Sequence, residues 1–370
     1  MSPSIRTTAL RARLRDFDWI MLAITILLLV FGILVIYSTT ISQANSTLTR
    51  NQIIFAGVGF VLLIIFTILN YRSFKNFAIY LYVLTLILLS VVLILGRASH
   101  GAVRWLNLGF FQLQPSEFAK LFMTIVLAKF FSSRAEDNSF KTLLLSGLYV
   151  GVPVLLVMAQ PDLGTALVFI AIWLGMALAS NIKKIYVLIL GGVGLVLMPI
   201  AWLFLHDYQR KRIVTFFNPG ADPLGAGYNV LQSIIATGSG RFFGRGLGYG
   251  YQSQLKFLPI QHTDFIFAVL AEELGFVGAL VLLILFFILL IRILRTTFQA
   301  SDSFGMFLGM GIFVMIVFQI LVNIGMNMGI MPVTGVPLPL ISAGGSSLIT
   351  IMIGIGIMES IALRRRKIIF

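Results

Sequence analysis

The sequence predicts an all-α polytopic integral membrane protein with ten transmembrane helices and one large extracytoplasmic loop between helices seven and eight. Hydrophobic residues make up 59% of the 370 residues and charged residues only 11%, whereas soluble domains contain about 25% charged residues. Ten segments are apolar over about the 20 residues that a helix needs to cross a bilayer. None of these segments shows the alternating pattern of a strand.

The ten spans follow one another without an internal repeat or a low-complexity linker, so a single transmembrane domain over 1–370 is expected. The basic N-terminus, 1–17, lacks the small-residue cleavage site of a secretory signal. The large loop is expected at 206–263 and the tail at 364–370. The predicted spans are 18–38, 51–70, 77–95, 115–131, 142–159, 163–180, 185–205, 264–291, 304–329 and 343–363.

The basic residues predict the orientation of the spans. With ten spans both termini lie on one side, and a cytoplasmic placement gives that side 17 of the 27 Lys and Arg residues, as the positive-inside tendency requires. Six of the nine basic residues outside lie in the 206–263 loop, which contains only two acids. Two explanations are open. Long loops cross the membrane whatever their charge. Alternatively, this face binds an anionic ligand through guanidinium groups.

The segment QHTDFIFA, 261–268, opens the eighth span with polar residues. Thr263 or Asp264 could cap the helix by accepting its first free amides. Asp264 could also act as a base beside His262, because a helix N-terminus stabilises a carboxylate anion. Glu272 and Glu273 follow two turns later, where an interhelical hydrogen bond or ion pair is the simplest interpretation.

The segment QPSEFAK, 114–120, places an acid and a base inside the fourth span. Pro115 suits the first turn of a helix, and Glu117 and Lys120 lie on one helix face. Within an apolar span this pair favours a polar cavity over a surface ion pair. The surface pair remains the alternative interpretation.

Three further motifs have a structural interpretation, and the last two also have a functional one. In AQPDLGTAL, 159–167, Asp162 is expected to cap the sixth span and Gly164 to allow close packing. The uncharged VPLPLISAGGSS, 336–347, is a re-entrant turn or an amide cradle for an anion. The glycine-rich 238–254 lacks the ending of a phosphate loop and is a flexible loop or a sugar or phosphate cradle.

Residue types also exclude some classes of site. Cys is absent, so disulfides and thiolate metal sites are excluded. The basic residues are spread over short loops, so nucleic acid is not expected as a partner. The residues alone favour a membrane enzyme that acts on a lipid-linked anion, or a transporter of one.

The motifs resemble those of the SEDS family of cell-wall polymerases. Seven matching segments run in the same order from about residue 100 to 350: GAVRWLNLG, QPSEFAK, AQPDLGTA, HDYQRKRI, DPLGAGYNVLQSIIATGSG, FLPIQHTDFIFAVLAEELGFVG and GVPLPLISAGGSS. The resemblance implies a SEDS-type fold in the cytoplasmic (inner) membrane, with both termini cytoplasmic and the active site facing the periplasm.

The resemblance also implies a peptidoglycan glycosyltransferase for cell elongation and rod shape. Its substrate would be lipid II, a disaccharide-pentapeptide on undecaprenyl pyrophosphate, which it would add to a nascent glycan strand. A lipid II flippase or transporter is the alternative. The implied protein partners are a class B penicillin-binding protein, which acts as a transpeptidase, and the elongation machinery.

The family's essential aspartate corresponds to Asp264, the expected general base of an inverting transfer. The family's polar pair corresponds to Glu117 and Lys120. A divalent cation, Mg²⁺ or Mn²⁺, is the candidate cofactor, with unassigned ligands. The residues expected to bind substrate are Glu117, Lys120, Arg104, Arg210, Arg212, His262, Ser342 and Gly344.

Overall fold

The computed structural model describes residues 16–41, 47–99, 102–107, 112–205, 207–221, 226–255, 257–258 and 261–365. Each of the ten predicted spans coincides with a helix in this part of the chain. These helices are α1 Trp19–Thr40, α2 Thr47–Ile68, α3 Phe74–Leu95, α4 Pro115–Ser132, α5 Phe140–Ala159, α6 Leu163–Ala179, α7 Lys184–Phe204, α11 Ile266–Phe298, α12 Ser303–Asn327 and α13 Gly345–Ala362.

Seven of the described helices, α1, α2, α3, α5, α11, α12 and α13, are long and apolar enough to cross a membrane. The chain is therefore a multi-pass membrane protein. The other three predicted spans form helices, but α4 carries Glu117, Lys120 and Lys129 and α6 has only 17 residues. Within the part of the chain that the structure describes, length and composition therefore confirm seven of the ten predicted spans.

The two helix ends nearest the termini lie at the same end of the bundle. The amide of Asp18, before α1, donates to Glu359 near the end of α13 at 3.1 Å. Arg292, near the end of α11, pairs with Asp18 at 2.7 Å. The described chain therefore passes between the two ends of the bundle an even number of times. We call the end that carries Asp264 the site end, and the other the Asp18 end.

The most buried helices are α12 and α13. Helix α12 packs against α4, α6 and α11, and α13 packs against α2. All residues of α13 from Ser346 to Ala362 are buried except Ile349, which is half-buried. The outer helices instead expose large apolar side chains, such as Leu155 on α5 and Val196 on α7, as lipid-facing surfaces do.

A short sheet, which the apolar pattern did not predict, precedes α4. Strands β1 Arg97–Ser99, β2 Ala102–Asn107 and β3 Gln112–Leu113 pair in the order β1-β2-β3, and both pairs are antiparallel. The strands have two to six residues, too few for a readable alternation. The sheet matters because β2 carries Arg104.

The predicted 206–263 loop contains helices. Three are described: α8 Asp207–Phe217, α9 Ala226–Ser239 and α10 Tyr251–Gln254. Helix α9 packs against α11. The alternative of a flexible 238–254 segment is wrong, because this segment is tied to α11 by backbone hydrogen bonds.

Those hydrogen bonds fill a break in α11 at Gly275, whose φ is 66° and ψ −162°. A Cβ at this position would lie 2.2 Å from the amide nitrogen of Gly244, so only glycine fits. The loop replaces the missing helical bonds: Arg245 N to Glu272 O at 3.1 Å, Gly246 N to Glu273 O at 2.9 Å, Phe276 N to Arg241 O at 2.9 Å and Val277 N to Phe242 O at 3.1 Å.

The break divides α11 into two segments with different surroundings. All 33 residues would extend about 50 Å, whereas a hydrocarbon core is about 30 Å thick. Residues 265–273 are buried in protein, and exposed apolar side chains begin with Phe276 and Val277. The part of the predicted 264–291 span before Gly275 therefore packs inside the protein, whereas 276–298 exposes one apolar face and buries the other.

Candidate functional site

Asp264 lies in the loop that leads into α11, with a partly exposed side chain. The N-cap of α11 is Phe265, without a side-chain cap hydrogen bond. The alternative in which Asp264 caps this helix is therefore wrong. Its carboxylate instead points towards Gly335, where a Cβ would lie 3.4 Å from Oδ2.

Two guanidinium groups converge on the same point. A Cβ at Gly335 would lie 3.9 Å from an Nη1 atom of both Arg104 and Arg212. Gly335 has φ 76°, in the left-handed region that glycine adopts without strain. Arg104 comes from β2, Arg212 from α8 and Asp264 from the loop before α11. Their charged groups thus surround Gly335, which has no side chain.

Arg104 is held in place by the turn before α6. Its Nε lies 3.7 Å from Oδ2 of Asp162, and its Nη2 donates to the carbonyl of Pro161. Asp162 caps α6 as predicted, accepting from the amide of Thr165 at 3.2 Å and from its hydroxyl at 2.9 Å. Asp162 therefore has two roles, as a cap and as an anchor for Arg104.

Gly164, which follows that cap, permits the close packing predicted for it. A Cβ there would lie 2.7 Å from the carbonyl oxygen of Thr334 and 2.8 Å from a methyl of Val336. The start of α6 consequently lies against the chain on both sides of Gly335.

Burial and charge act in opposite directions on Asp264. Burial raises the pKa of its carboxyl, while Arg212, a hydrogen bond with Thr263 and Arg104 each lower it, and Asp162 raises it. The net effect is a raised pKa. Burial also lowers the pKa of His262, which favours its neutral form, so the cationic groups near Asp264 are the two arginines.

The backbone around Asp264 is fixed by the 338–343 turn. Ala343 N donates to the carbonyl of His262 at 2.9 Å. The hydroxyl of Ser342 donates to the carbonyl of Thr263 at 2.6 Å and accepts from the amide of Leu338 at 2.8 Å. Ser342, a predicted substrate-binding residue, therefore joins two loops.

Two asparagines of α12 hold the next carbonyl. Asn323 Nδ2 donates to the carbonyl of Asp264 at 3.2 Å and Asn327 Nδ2 donates to it at 3.0 Å. Both side chains are fully buried. Three consecutive carbonyls, 262–264, thus have defined donors, and the Asp264 side chain stands on an immobilised backbone.

Asn323, Asn327 and Gly335 are absent from the predicted site. A signal for the asparagines exists in the sequence: they are four residues apart, on one face of a strongly apolar helix. Uncharged polar residues inside a membrane deserve the same scrutiny as charged ones. Gly335 gives no comparable signal, because its role depends on its φ angle and its neighbours.

Glu117 and Lys120 form a buried ion pair, with Lys120 Nζ 2.7 Å from Glu117 Oε1. The two residues are only 2% and 1% exposed, so the surface-pair alternative is wrong. Glu117 Oε2 and the hydroxyl of Ser116 are buried without a hydrogen-bond partner among the described residues. Such unpaired atoms fit the predicted polar cavity.

This pair lies towards the site end. Gln114 N, just before α4, donates to the hydroxyl of Ser346 at 3.0 Å. Ser346 follows Gly344, which caps α13 in an extended conformation with φ 172°. A Cβ on Gly344 would meet only Ser347, at 3.8 Å, so the backbone is open here.

Arg210 occupies a different place from Arg212. Its Nε donates to the carbonyl of Trp202 at 3.1 Å and its Nη2 to that of Leu203 at 2.9 Å. Both carbonyls belong to the last turn of α7, where a cation is favourable. Of the two arginines on α8, the structure brings Arg212 to Asp264 and ties Arg210 to α7.

Glu272 and Glu273 both accept hydrogen bonds from the 245–254 segment. The donors to Glu272 belong to α10, so the predicted interhelical hydrogen bond is confirmed for Glu272. Glu272 accepts from the amides of Gln252 at 2.8 Å and Ser253 at 3.1 Å. Glu273 accepts from the amide of Gly248 at 3.3 Å. Both carboxylates are fully buried, and they fix the shape of the loop that fills the α11 break.

Among the described residues, no group of three or more His, Cys, Asp or Glu is placed to hold a metal ion. Asp264 and Asp162 are the carboxylates near the two arginines. Mg²⁺ commonly takes one or two protein carboxylates and completes its shell with substrate phosphates and water. Asp264 and Asp162 meet that lower requirement.

Comparisons with known proteins agree with the geometry. A family model for FtsW, RodA and SpoVE, described as cell cycle protein, matches residues 18–367. The peptidoglycan glycosyltransferase MrdB of Escherichia coli K12 is 43% identical over 356 residues, which cover 95% of each protein.

Solved structures share the fold. A chain of a peptidoglycan synthase complex, described as coordinating polymerization and crosslinking, has a TM-score of 0.80 at 30% identity and covers 94% of this chain and 97% of its own. The rod shape determining protein RodA of Thermus thermophilus has a TM-score of 0.71 at 28% identity, with 95% and 98% covered. The SEDS resemblance is confirmed, and this chain belongs to the FtsW/RodA/SpoVE family.

Proposed function

We propose that this chain is a peptidoglycan glycosyltransferase that polymerises lipid II into glycan strands for cell elongation. The observation that carries the proposal is the convergence of Asp264, Arg104 and Arg212 on Gly335. Glycosyl transfer from a diphosphate needs a base for the attacking hydroxyl and cations for the leaving group. The names of the similar proteins, MrdB and RodA, support the same activity and its role in rod shape.

The base is Asp264. The donor sugar is α-linked to diphosphate and the product bond is β, so the acceptor 4-hydroxyl attacks C1 from the face opposite the leaving group. As the C1–O bond to the acceptor forms and the bond to the diphosphate breaks, Asp264 takes the hydroxyl proton. Its raised pKa brings its basicity closer to the operating pH, where a general base contributes about 10²–10⁴-fold.

Arg104 and Arg212 stabilise the departing diphosphate. Their guanidinium groups lie beside the same point as the base, and Arg104 is held by Asp162 and Pro161. Guanidinium groups bind phosphate oxygens in bidentate fashion, and fixed cations need no reorganisation as negative charge develops. His262, Ser342 and Gly344 complete the wall of the site through their backbone and hydrogen bonds.

Glu117 and Lys120 form a buried polar pair near the N-terminus of α13. Lys120 is neutralised by Glu117 at 2.7 Å, while Glu117 Oε2 keeps an unused acceptor. We assign this oxygen to a donor on the substrate, such as a sugar hydroxyl or an amide.

A divalent cation would be held by Asp264 or Asp162 together with the diphosphate, and would supply additional positive charge to the leaving group. The chain's own part is unchanged by it: the arginines bind phosphate oxygens and the carboxylate receives the proton. Synthesis with and without EDTA measures the contribution of the cation.

The same proposal covers location and partner. With the Asp18 end in the cytoplasm, the site end faces the periplasm of the inner membrane, where the acceptor strand is. The structural likeness to a chain of a peptidoglycan synthase complex supports a class B penicillin-binding protein as the partner that cross-links the product, within the elongation machinery.

The decisive experiment incubates the purified protein with lipid II and measures glycan strands. Asp264→Asn removes the base with almost no change in shape, so it should abolish polymer while the protein stays folded. Polymer from this variant would refute the assigned base. Movement of lipid II across vesicle bilayers without any polymer from the wild type would favour the flippase.

The two α8 arginines provide a matched pair for the leaving-group role. Arg212→Gln should lower the rate about 10²–10³-fold, as removal of one transition-state donor does. Arg210→Gln should leave most of the rate, because Arg210 donates to carbonyls of α7. Equal losses in both variants would argue that α8 acts through its overall charge.

A further inference from the structure

A cavity of about 140 Å³ lies between α3, α4 and α5, away from the Asp264 site. It is at the Asp18 end, because α4 starts beside Ser346 at the site end and the cavity lies against its last turns. Val126, Lys129 and Phe130 of α4 line one side. This cavity has no part in the proposed reaction.

The wall of the cavity is aromatic. Tyr149 of α5 meets Tyr82 of α3 edge to face, with ring centroids 5.5 Å apart, and its centroid is also 5.5 Å from that of Phe130. Neither tyrosine hydroxyl has a hydrogen-bond partner among the described residues. Three rings therefore line an apolar slot that contains two available hydroxyl groups.

The mouth of the cavity is basic. Lys129 is partly buried, and its ammonium group has no hydrogen bond or ion pair among the described residues. Arg134 stacks on Phe130, with its guanidinium carbon 4.3 Å from the ring centroid. Both cationic groups line the cavity, so it combines an apolar interior with a positively charged entrance.

Two acids lie near this entrance. Asp137 interacts electrostatically with Arg134, but its carboxylate accepts from the Ser139 amide at 2.9 Å and from the Thr142 hydroxyl at 2.5 Å. Glu136 is exposed to solvent. Lys129 is therefore the cation at the mouth whose charge is not matched by an ion pair in the described chain.

The side of the cavity faces the bilayer. Ile79, which lines it, is 51% exposed, and neighbouring Tyr80 and Leu148 expose large apolar surfaces. Tyr149 is nine residues into α5, so the slot reaches about 14 Å from the helix start into the apolar layer. A ligand entering from this side comes from lipid.

We propose that this cavity binds an anionic phospholipid, with the phosphate on Lys129 and Arg134 and an acyl chain along Tyr82 and Tyr149. Basic pockets between transmembrane helices bind anionic headgroups in this manner. An uncharged lipid would leave the Lys129 charge unmatched, and a soluble phosphate would leave the aromatic slot empty. The geometry therefore fits a ligand with both a charge and a chain.

The test is native mass spectrometry of the full-length protein in micelles that contain equal amounts of phosphatidylglycerol and phosphatidylcholine. Wild type should retain phosphatidylglycerol preferentially. Lys129→Gln/Arg134→Gln should lower that retention about five-fold per charge removed, at about 1 kcal/mol for each basic residue. Lys183→Gln, an exposed lysine at the same end but outside the cavity, should match wild type.

Two further measurements separate the sources of the phosphate. Tyr149→Ala should weaken the retention of both lipids equally, because it removes part of the slot. Glycerol 3-phosphate, which has no chain, should displace little lipid. Equal retention of phosphatidylglycerol by the double variant and the Lys183→Gln control, or full displacement by glycerol 3-phosphate, would overturn the proposal. Unchanged thermal melting shows that each variant is folded.

Discussion

The side-chain amide of Asn327 donates to the backbone carbonyl of Asp264 at 3.0 Å. Asn323, one turn earlier, donates to the same oxygen at 3.2 Å. A displacement of about 1 Å at a reacting group can lower the rate about 100-fold. We therefore expect Asn323→Leu to reduce kcat by one to two orders of magnitude with little change in KM, measured as the initial rate of glycan synthesis.

Gln319 offers a matched control on the same helix. It is fully buried, and both polar atoms of its side chain lack hydrogen-bond partners among the described residues. Gln319→Leu removes an equivalent amide without touching Asp264, so its kcat should remain close to wild type. A similar loss in both variants would mean that the asparagines affect only the stability of α12.

The pH dependence of the rate should reflect the raised pKa of Asp264. Turnover needs the carboxylate, so the rate should fall with falling pH at a pH above about 3.9, the ordinary pKa of Asp. Stability changes in the opposite direction. Because folding raises the pKa of this carboxyl, its protonation stabilises the folded state fully at pH values below the pKa in the unfolded chain. That contribution is lost as the pH rises through the pKa in the folded chain.

Two measurements over the same pH series test these predictions. Initial rates test the loss of activity at low pH, and melting curves test the gain of stability. Arg212→Gln should shift the acidic limb of the rate to higher pH, because this arginine lowers the pKa of Asp264. An acidic limb in the ordinary range of an exposed Asp would contradict the assigned base.

Gly335→Ala tests whether the site needs an empty position. The new methyl would lie 3.4 Å from Oδ2 of Asp264 at φ 76°, a conformation that costs a non-glycine residue about 1–2 kcal/mol. We expect both a lower melting temperature and a strongly reduced rate. Gly57→Ala on α2, where a Cβ meets nothing within 4 Å, should leave activity unchanged.

The ion pair of Glu117 and Lys120 should give strongly non-additive effects. Either single change to Ala leaves a buried charge without its partner, which typically costs about 3–5 kcal/mol. The double change removes both charges, so its loss of stability should be smaller than the sum of the two single losses. Melting curves of all four proteins measure this coupling, and additive losses would show that the groups do not interact.

Asp302 should make the Asp18 end sensitive to acid. Burial raises the pKa of its carboxyl, but hydrogen bonds from Tyr71 and Gly305 and the Arg72 guanidinium at 2.7 Å produce a net lowering. Because folding lowers the pKa of Asp302, its ionised carboxylate stabilises the folded state at pH values above the pKa in the unfolded chain. This contribution is lost as the pH falls through the pKa in the folded chain.

The expected loss is about 1 kcal/mol, the usual value of a helix cap, because the ion pair is partly exposed to solvent. Melting curves below about pH 4 measure it. Asp302→Asn should be less stable at neutral pH and should lack this acid-dependent step. An acid-dependent step that persists in the variant would assign it to another carboxyl.

The sequence predicted the helices well, because apolar runs of about 20 residues have few alternatives in a bilayer. All ten predicted spans coincide with helices. The short sheet that carries Arg104 and the helices within 206–263 were beyond reach, since their elements are too short or too mixed for a readable period.

The site was predictable where its residues are charged. Asp264, Arg104 and Arg212 converge, and Glu117 pairs with Lys120. Arg210 and Arg212 could not be distinguished, because two residues of one basic helix differ only in the direction that they face. The asparagine pair and Gly335 depend on contacts across α12 and the 334–336 turn, which no local pattern encodes.

The break in α11 separates the segment that lies in the bilayer, 276–298, from the segment that follows Asp264. A membrane span adapts to a thinner bilayer by tilting, and a continuous helix would transmit such a change from 276–298 to its first residue. At Gly275 the axial hydrogen bonds pass instead to Arg241, Phe242, Arg245 and Gly246. We therefore expect a change of tilt in 276–298 to be absorbed at Gly275, so that the backbone of Asp264 keeps its position when the bilayer becomes thinner or thicker.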